Sequence, residues 1–152
     1  MNKIDSIIIH CSATKEGVNF KAKDIDRMHK QRGFNQIGYH YIIDLDGTIE
    51  TGRPLTSLGA HCNTKGFSDS SYNKHSIGIC YIGGLDDNGK PADTRTEAQK
   101  QPIHEVLAFV LQYVYLPVYH LSPVHQYSKY RYCAYYMIDQ RNLLCCSEHH
   151  IY

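Results

Sequence analysis

The feature that most constrains the fold is the segment SIIIHC, in which three isoleucines lead directly into His10 and Cys11. Consecutive β-branched residues are typical of a short buried strand, and we predict one over residues 4–9. A histidine at the end of such a strand has two interpretations. His10 is either a packed core residue or a metal ligand that the strand aims at the edge of a sheet.

The elements that follow the first strand alternate in type. Ile25, Met28 and His29 are spaced as one helix face, which predicts a helix over residues 23–33 that Gly33 ends. The segment DG at residues 46–47 predicts a hairpin within GYHYIIDLDGTIETGRP, residues 38–54. A further apolar strand is expected over residues 75–84, and a helix over residues 94–115 whose N-cap is Thr94 or Thr96. This order predicts an α/β fold with a mixed central β-sheet flanked by helices.

Composition limits the classes of function. The chain has 152 residues and a formal net charge of +1, which argues against a nucleic-acid binder that works through bulk charge. No apolar run approaches the roughly 20 residues of a membrane span. The N-terminal residues contain no signal-peptide pattern, so we expect cytoplasmic synthesis and six cysteines that are thiols rather than disulfides. We expect a single domain over residues 1–152, of which residues 113–152 form an atypical tail rich in tyrosine and cysteine.

Several side chains could carry chemistry. Tyr39 either packs in the core or donates a hydrogen bond to an oxyanion. The tail contains His125, Arg131 and Cys133, and two histidines with one cysteine would leave a fourth zinc position for water, as in catalytic sites. We also predict three residues that line a substrate cleft, which are His40, His61 and Asn73.

These motifs together resemble a known family. The segments are IIIHCSAT, DIDRMHKQRGF, IGYHYIIDLDGTIETGRP, GAHCNTKGFSDSSYNKHSIGICYIGGLDDNGK and TRTEAQ, in that order. They resemble zinc-dependent N-acetylmuramoyl-L-alanine amidases, in particular amidase-type phage lysozymes, over about residues 4–112. The resemblance implies the fold of peptidoglycan recognition proteins, one zinc ion and a cleft for the junction of glycan and peptide.

The resemblance also assigns roles to residues. It makes His10 the first zinc ligand, Tyr39 a group that assists the zinc-bound water, and His61 a residue of the substrate cleft. His125 and Cys133 would complete the zinc site, with Arg131 in the place of a catalytic lysine. A second option for the middle ligand is His120 in YHLSP, which resembles a longer version of the late motif.

The implied activity is hydrolysis of the amide bond between N-acetylmuramic acid and L-alanine, in a protein of phage or prophage origin that acts on the cell wall. The late motif departs from the family because no proline follows Cys133. A degenerate tail would instead predict a peptidoglycan-binding module without catalysis. The resemblance to phage lysozymes further implies a phage RNA polymerase as a second partner, and nothing in the sequence marks a binding surface for it.

Overall fold

A five-stranded mixed sheet forms the centre of the fold. The computed structural model describes residue 4 and residues 6–63, 71–113 and 137–138. The sheet has the order β4-β3-β5-β1-β7, and its strands are β1 (Ser6–Cys11), β3 (Tyr41–Ile43), β4 (Ile49–Thr51), β5 (Ser76–Tyr81) and β7 (Met137–Ile138). A second, two-stranded sheet pairs β2 (Thr14–Lys15) with β6 (Gly84–Leu85).

The inner strands of the large sheet are parallel and its edges are antiparallel. β1 pairs with β5 from Ser6 opposite Ser76 to Cys11 opposite Tyr81. β3 is parallel to the other side of β5, whereas β4 and β7 add antiparallel edges. The predicted mixed α/β sheet is therefore confirmed. The first strand begins and ends two residues later than predicted, so that His10 lies within β1 rather than after it.

The two faces of the sheet are covered by different elements. Because side chains alternate along a strand, Ile7 and Ile9 face α2 (Glu97–Tyr113) and share a buried cluster with Val106 and Val110. On the opposite face, Ile42 packs with apolar residues of α1 (Ala22–Gln31) and of the segment that precedes β3. His10, two residues after Ile8, lies on this second face. The cluster under α2 is thus apolar, whereas His10 lies on the opposite face of the sheet.

Hydrogen bonds from side chains explain where the two helices begin. α1 begins one residue before the prediction, because the Asp24 carboxylate accepts a hydrogen bond from the backbone N–H of Lys21. At the start of α2, Thr96 and Gln99 cap each other: each backbone N–H donates to the side-chain oxygen of the other residue. Of the two predicted candidates, Thr94 and Thr96, the structure has Thr96 as the N-cap. Pro102 lies inside the helix, which continues through it.

The hairpin closes through the predicted turn, where Gly47 has a φ of 86° that favours glycine. Just before the turn, the buried carboxylate of Asp44 accepts a hydrogen bond of 2.7 Å from Nζ of Lys21 and so joins the hairpin to the start of α1. Cys11, Cys62 and Cys80 are buried thiols, as expected. No helix in the described part of the chain is both long and apolar enough to cross a membrane.

Candidate functional site

His10 is directed at another imidazole and not into the apolar core. Its side chain is 4% exposed, and its Nε2 lies 2.9 Å from Nδ1 of His61. The two ring centroids are 5.0 Å apart and the ring planes are nearly perpendicular. His10 lies opposite Cys80 of the parallel strand β5, and this pairing gives it a rigid backbone. His10 is therefore a buried histidine with a polar partner, and its role as a metal ligand stays a prediction.

Tyr39 lies beside this histidine pair. Its ring centroid is 5.2 Å from that of His10 and 6.3 Å from that of His61. The carbonyl of Tyr39 accepts a hydrogen bond of 2.9 Å from the backbone N–H of Arg53. The carbonyl of the preceding Gly38 accepts a hydrogen bond of 3.0 Å from the backbone N–H of Ala60, so both peptide units around Tyr39 are fixed. These hydrogen bonds hold the backbone that places the Tyr39 ring beside His10.

His29, in α1, supports Tyr39 from behind. Its ring centroid lies 5.3 Å from that of Tyr39 and 5.0 Å from that of Phe34. Burial lowers the pKa of His29 to about 4, so its ring is neutral at pH 7 and Nδ1 can accept the hydrogen bond from Gly38. The sequence placed His29 only on the apolar face of a helix. Its role in the site depends on a contact nine residues along the chain, for which the sequence contains no signal.

Arg53 also holds the segment that carries Tyr39, and the sequence did not single it out as a site residue. Its Nε donates 2.6 Å to the carbonyl of Ile37, and its Nη1 donates 2.7 Å to the carbonyl of Leu58. The guanidinium thus joins the segment before β3 to the loop that contains His61. A planar fork of donors suits such a bridge between two carbonyls.

His61 and Asn73 were both predicted to line the cleft, and the structure couples them to each other. The side-chain Oδ1 of Asn73 accepts hydrogen bonds of 2.7 Å and 2.8 Å from the backbone N–H groups of His61 and Cys62. Asn73 therefore fixes the loop that presents His61. Burial lowers the pKa of His61 well below its usual value, and the nearby His10 and His40 lower it further.

His40 is hydrogen-bonded through both of its ring nitrogens. Its side chain is 1% exposed. Its Nδ1 accepts a hydrogen bond of 3.0 Å from the backbone N–H of Gly78, so its Nε2 carries the proton and donates 3.1 Å to the carbonyl of Ser57. Burial lowers the pKa of His40, which keeps this neutral form. His40 thus joins Gly78 of β5 to the loop at Ser57, and its contact with substrate stays a prediction.

The described residues supply one imidazole to the predicted zinc site. Zinc is bound by imidazole nitrogens and thiolates, usually four ligands in tetrahedral geometry. Within the described residues, no group of three His, Cys, Asp or Glu side chains could hold a metal ion. His10 fits one position by its chemistry and by its rigid strand. The other predicted residues, His120, His125, Arg131 and Cys133, lie outside the described residues.

Comparisons with known proteins agree on one family. Residues 1–140 match the family model described as N-acetylmuramoyl-L-alanine amidase. The endolysin of Escherichia phage T7 is 43% identical over 107 residues, which is 70% of this chain and 66% of that protein. The endolysin of Enterobacteria phage T3 is 42% identical with the same coverage. The match thus spans slightly less than two thirds of these relatives.

Solved structures give the same result for the fold. The N-acetylmuramoyl-L-alanine amidase LysC from Clostridium intestinale superposes with a TM-score of 0.57 at 27% identity, over 72% of this chain and 64% of that one. Drosophila PGRP-LB superposes with a TM-score of 0.59 at 26% identity, over 76% and 65%. The family model covers most of the chain and the folds agree. The chain belongs to the N-acetylmuramoyl-L-alanine amidase family.

Proposed function

We propose that this chain hydrolyses the amide bond between N-acetylmuramic acid and L-alanine in peptidoglycan, with one zinc ion as its metal. The observation that carries the proposal is the cluster of His10, Tyr39 and His61 on one face of the sheet, in a chain of the amidase family. The names of its relatives, endolysins and an amidase, support the same activity. We further propose that residues 1–152 form one domain.

The proposed zinc ligands are His10 and Cys133, together with either His125 or His120. When bound, zinc supplies a Lewis acid and lowers the pKa of a bound water to about 7. The contribution of the described residues is to fix His10. β1 sets its backbone, and the contact with His61 sets the orientation of its ring.

Tyr39 is the proposed hydrogen-bond donor to the carbonyl oxygen of the scissile amide. Negative charge develops on that oxygen during hydrolysis, and a donor that is already oriented stabilises it without reorganisation. The hydrogen bonds from Gly38 to His29 and from Arg53 to Tyr39 supply that orientation. Arg131 is proposed as a second, cationic donor to the same oxygen.

The test is the incubation of the full zinc-loaded chain with purified peptidoglycan. Amide cleavage should release new L-alanine amino groups without new reducing sugar ends, which separates an amidase from a glycosidase. His10→Ala should abolish the release, because it removes a metal ligand. Tyr39→Phe is the matched variant that keeps the zinc and loses the donor. Wild-type protein that contains zinc and releases no amino groups would contradict the proposed activity.

A binding module without catalysis is the second candidate, and the observation that favours it is the structural similarity to the peptidoglycan recognition proteins LCa and LCx, whose structure was solved with bound tracheal cytotoxin. A zinc content near zero, combined with retained binding of muropeptides, would select this function. Peptidoglycan is the proposed ligand in both cases. The comparisons give no support to a phage RNA polymerase as a partner.

A further inference from the structure

We infer that His61 is a positioning residue: it accepts a hydrogen bond from Nε2 of His10 and thereby selects Nδ1 of His10 as the nitrogen that binds the metal. This inference rests on the proposed zinc-dependent function. It also gives His61 a different task from contact with substrate. Three observations carry it, which are the slot around the His61 ring, the protons of its neighbours and the distance to His10.

Two glycines form a slot that encloses the His61 ring. A Cβ atom added to Gly78 would lie 2.5 Å from Cδ2 and 2.7 Å from Nε2 of His61. A Cβ added to Gly59 would lie equally close to the same two atoms. Contacts below 3.0 Å are repulsive, so no larger residue fits at either position while the imidazole is there. The loop is further fixed by Asn73, and the ring therefore has a defined place against the strand.

The protons of the neighbouring groups determine the tautomer of His61. The hydroxyl of Ser76 donates its single proton to the carbonyl of Tyr72 over 2.6 Å. Its oxygen, 3.5 Å from Nε2 of His61, can then only accept. Nε2 of His61 thus carries the proton in the neutral ring, and Nδ1 is an acceptor.

This tautomer fixes that of His10. The two nitrogens are 2.9 Å apart, a hydrogen-bond distance that requires one proton between them. Since Nδ1 of His61 has none, Nε2 of His10 is the donor. Nδ1 of His10 is then deprotonated, which is the form that binds a metal. Metal-binding histidines commonly donate their second N–H to an acceptor in this way, and the acceptor sets the ring orientation.

A matched pair of variants tests the inference. In His61→Asn, the side-chain Oδ1 takes the position of Nδ1 and still accepts the hydrogen bond, whereas His61→Leu has nearly the same shape as asparagine and no acceptor. We expect the leucine variant to bind zinc about 10–100-fold more weakly than the wild type, the usual effect of losing such a partner. The asparagine variant should retain most of the affinity. Zinc affinity is measured in the full chain by competition with a chromophoric chelator.

A second measurement reports the tautomer without zinc. In protein labelled with ¹⁵N-histidine, the His10 ring should show the Nε2–H form in the wild type and in His61→Asn, and a mixture of tautomers in His61→Leu. A wild-type His10 that carries its proton on Nδ1 would overturn the inference. So would a folded His61→Leu variant, verified by circular dichroism, that binds zinc as tightly as His61→Asn.

The failure of this inference can be distinguished from failure of the proposed function. Zinc binding that is sensitive to His61→Leu, in a protein that releases no amino groups from peptidoglycan, would support the positioning role and contradict only the hydrolytic activity. Normal hydrolysis with equal zinc affinity in both variants would contradict only the inference. A wild-type chain that binds no zinc would overturn the metal dependence and this inference together.

Discussion

Lowering the pH from 7 to 5 should destabilise the fold through histidines that burial keeps neutral. His29 gives the magnitude, because burial lowers its pKa from 6.5 to about 4. As the pH falls, the unfolded chain therefore binds a proton at His29 before the folded chain does. The stability from His29 is complete above about pH 6.5 and is lost as the pH falls toward 4. Proton linkage at this residue alone lowers the free energy of unfolding by about 2 kcal/mol between pH 7 and pH 5.

The other buried groups do not all act in the same direction. His40 and His61 also have a lowered pKa, so each adds to the loss. Burial raises the pKa of Asp44 to about 6, so the folded chain holds a proton there that the unfolded chain lacks. Asp44 therefore adds stability as the pH falls through 6 and partly offsets the histidines. A variant is therefore needed to isolate the contribution of one residue to the pH dependence of stability.

His29→Asn isolates the His29 contribution. The asparagine Oδ1 can still accept the hydrogen bond from the Gly38 backbone N–H, and asparagine does not titrate. Urea unfolding of both proteins at pH 7 and pH 5 gives the free energy of unfolding. We expect the loss between the two pH values to be smaller by about 2 kcal/mol in the variant. Equal losses in both proteins would refute the reasoning.

Three further changes test the site and its support. Tyr39→Phe should lower kcat for release of amino groups from peptidoglycan by about 10²–10³-fold with unchanged zinc content, and an unaltered kcat would exclude the donor role. Gln99→Leu should lower the free energy of unfolding by about 2–4 kcal/mol in urea, because the buried amide donates to the carbonyls of Ile43 and Ile82. Gly78→Ala should lower the free energy of unfolding by about 1–3 kcal/mol and weaken zinc binding, because the new methyl group would collide with the His61 ring. A zinc affinity equal to that of the wild type would show that displacement of the ring does not affect the metal site.

The elements of the fold could be predicted because their signals are local. Three isoleucines, the turn at residues 46–47 and the Thr96 cap each specify an element within a few residues. The mixed sheet followed from their order. The exact ends did not follow: β1 extends through Cys11 because its register with β5 continues to Tyr81, and that partner lies 70 residues away in the sequence.

The site was predictable only in part, for a related reason. His10 could be identified by the strand before it and by the resemblance to a family. His40 was predicted at a cleft, but it lies one residue before β3 and bonds to Gly78 and Ser57 across the fold. The support from His29 to Tyr39 depends on the close approach of Gly38 to the carbonyl of Ala60, which glycine permits. Such contacts arise between segments, and no short pattern of residues encodes them.

The burial that orders this site also makes it sensitive to acid. Nδ1 of His29 and Nδ1 of His40 accept hydrogen bonds from the backbone N–H groups of Gly38 and Gly78, and we infer the same role for Nδ1 of His61. An acceptor nitrogen must be unprotonated, and burial maintains that state by lowering the pKa of all three rings. Protonation would convert each acceptor into a donor that faces another donor. The stability that depends on these neutral rings should therefore be lost as the pH falls below about 6.5, and weaker burial of His29 would raise its folded-state pKa and make that loss smaller.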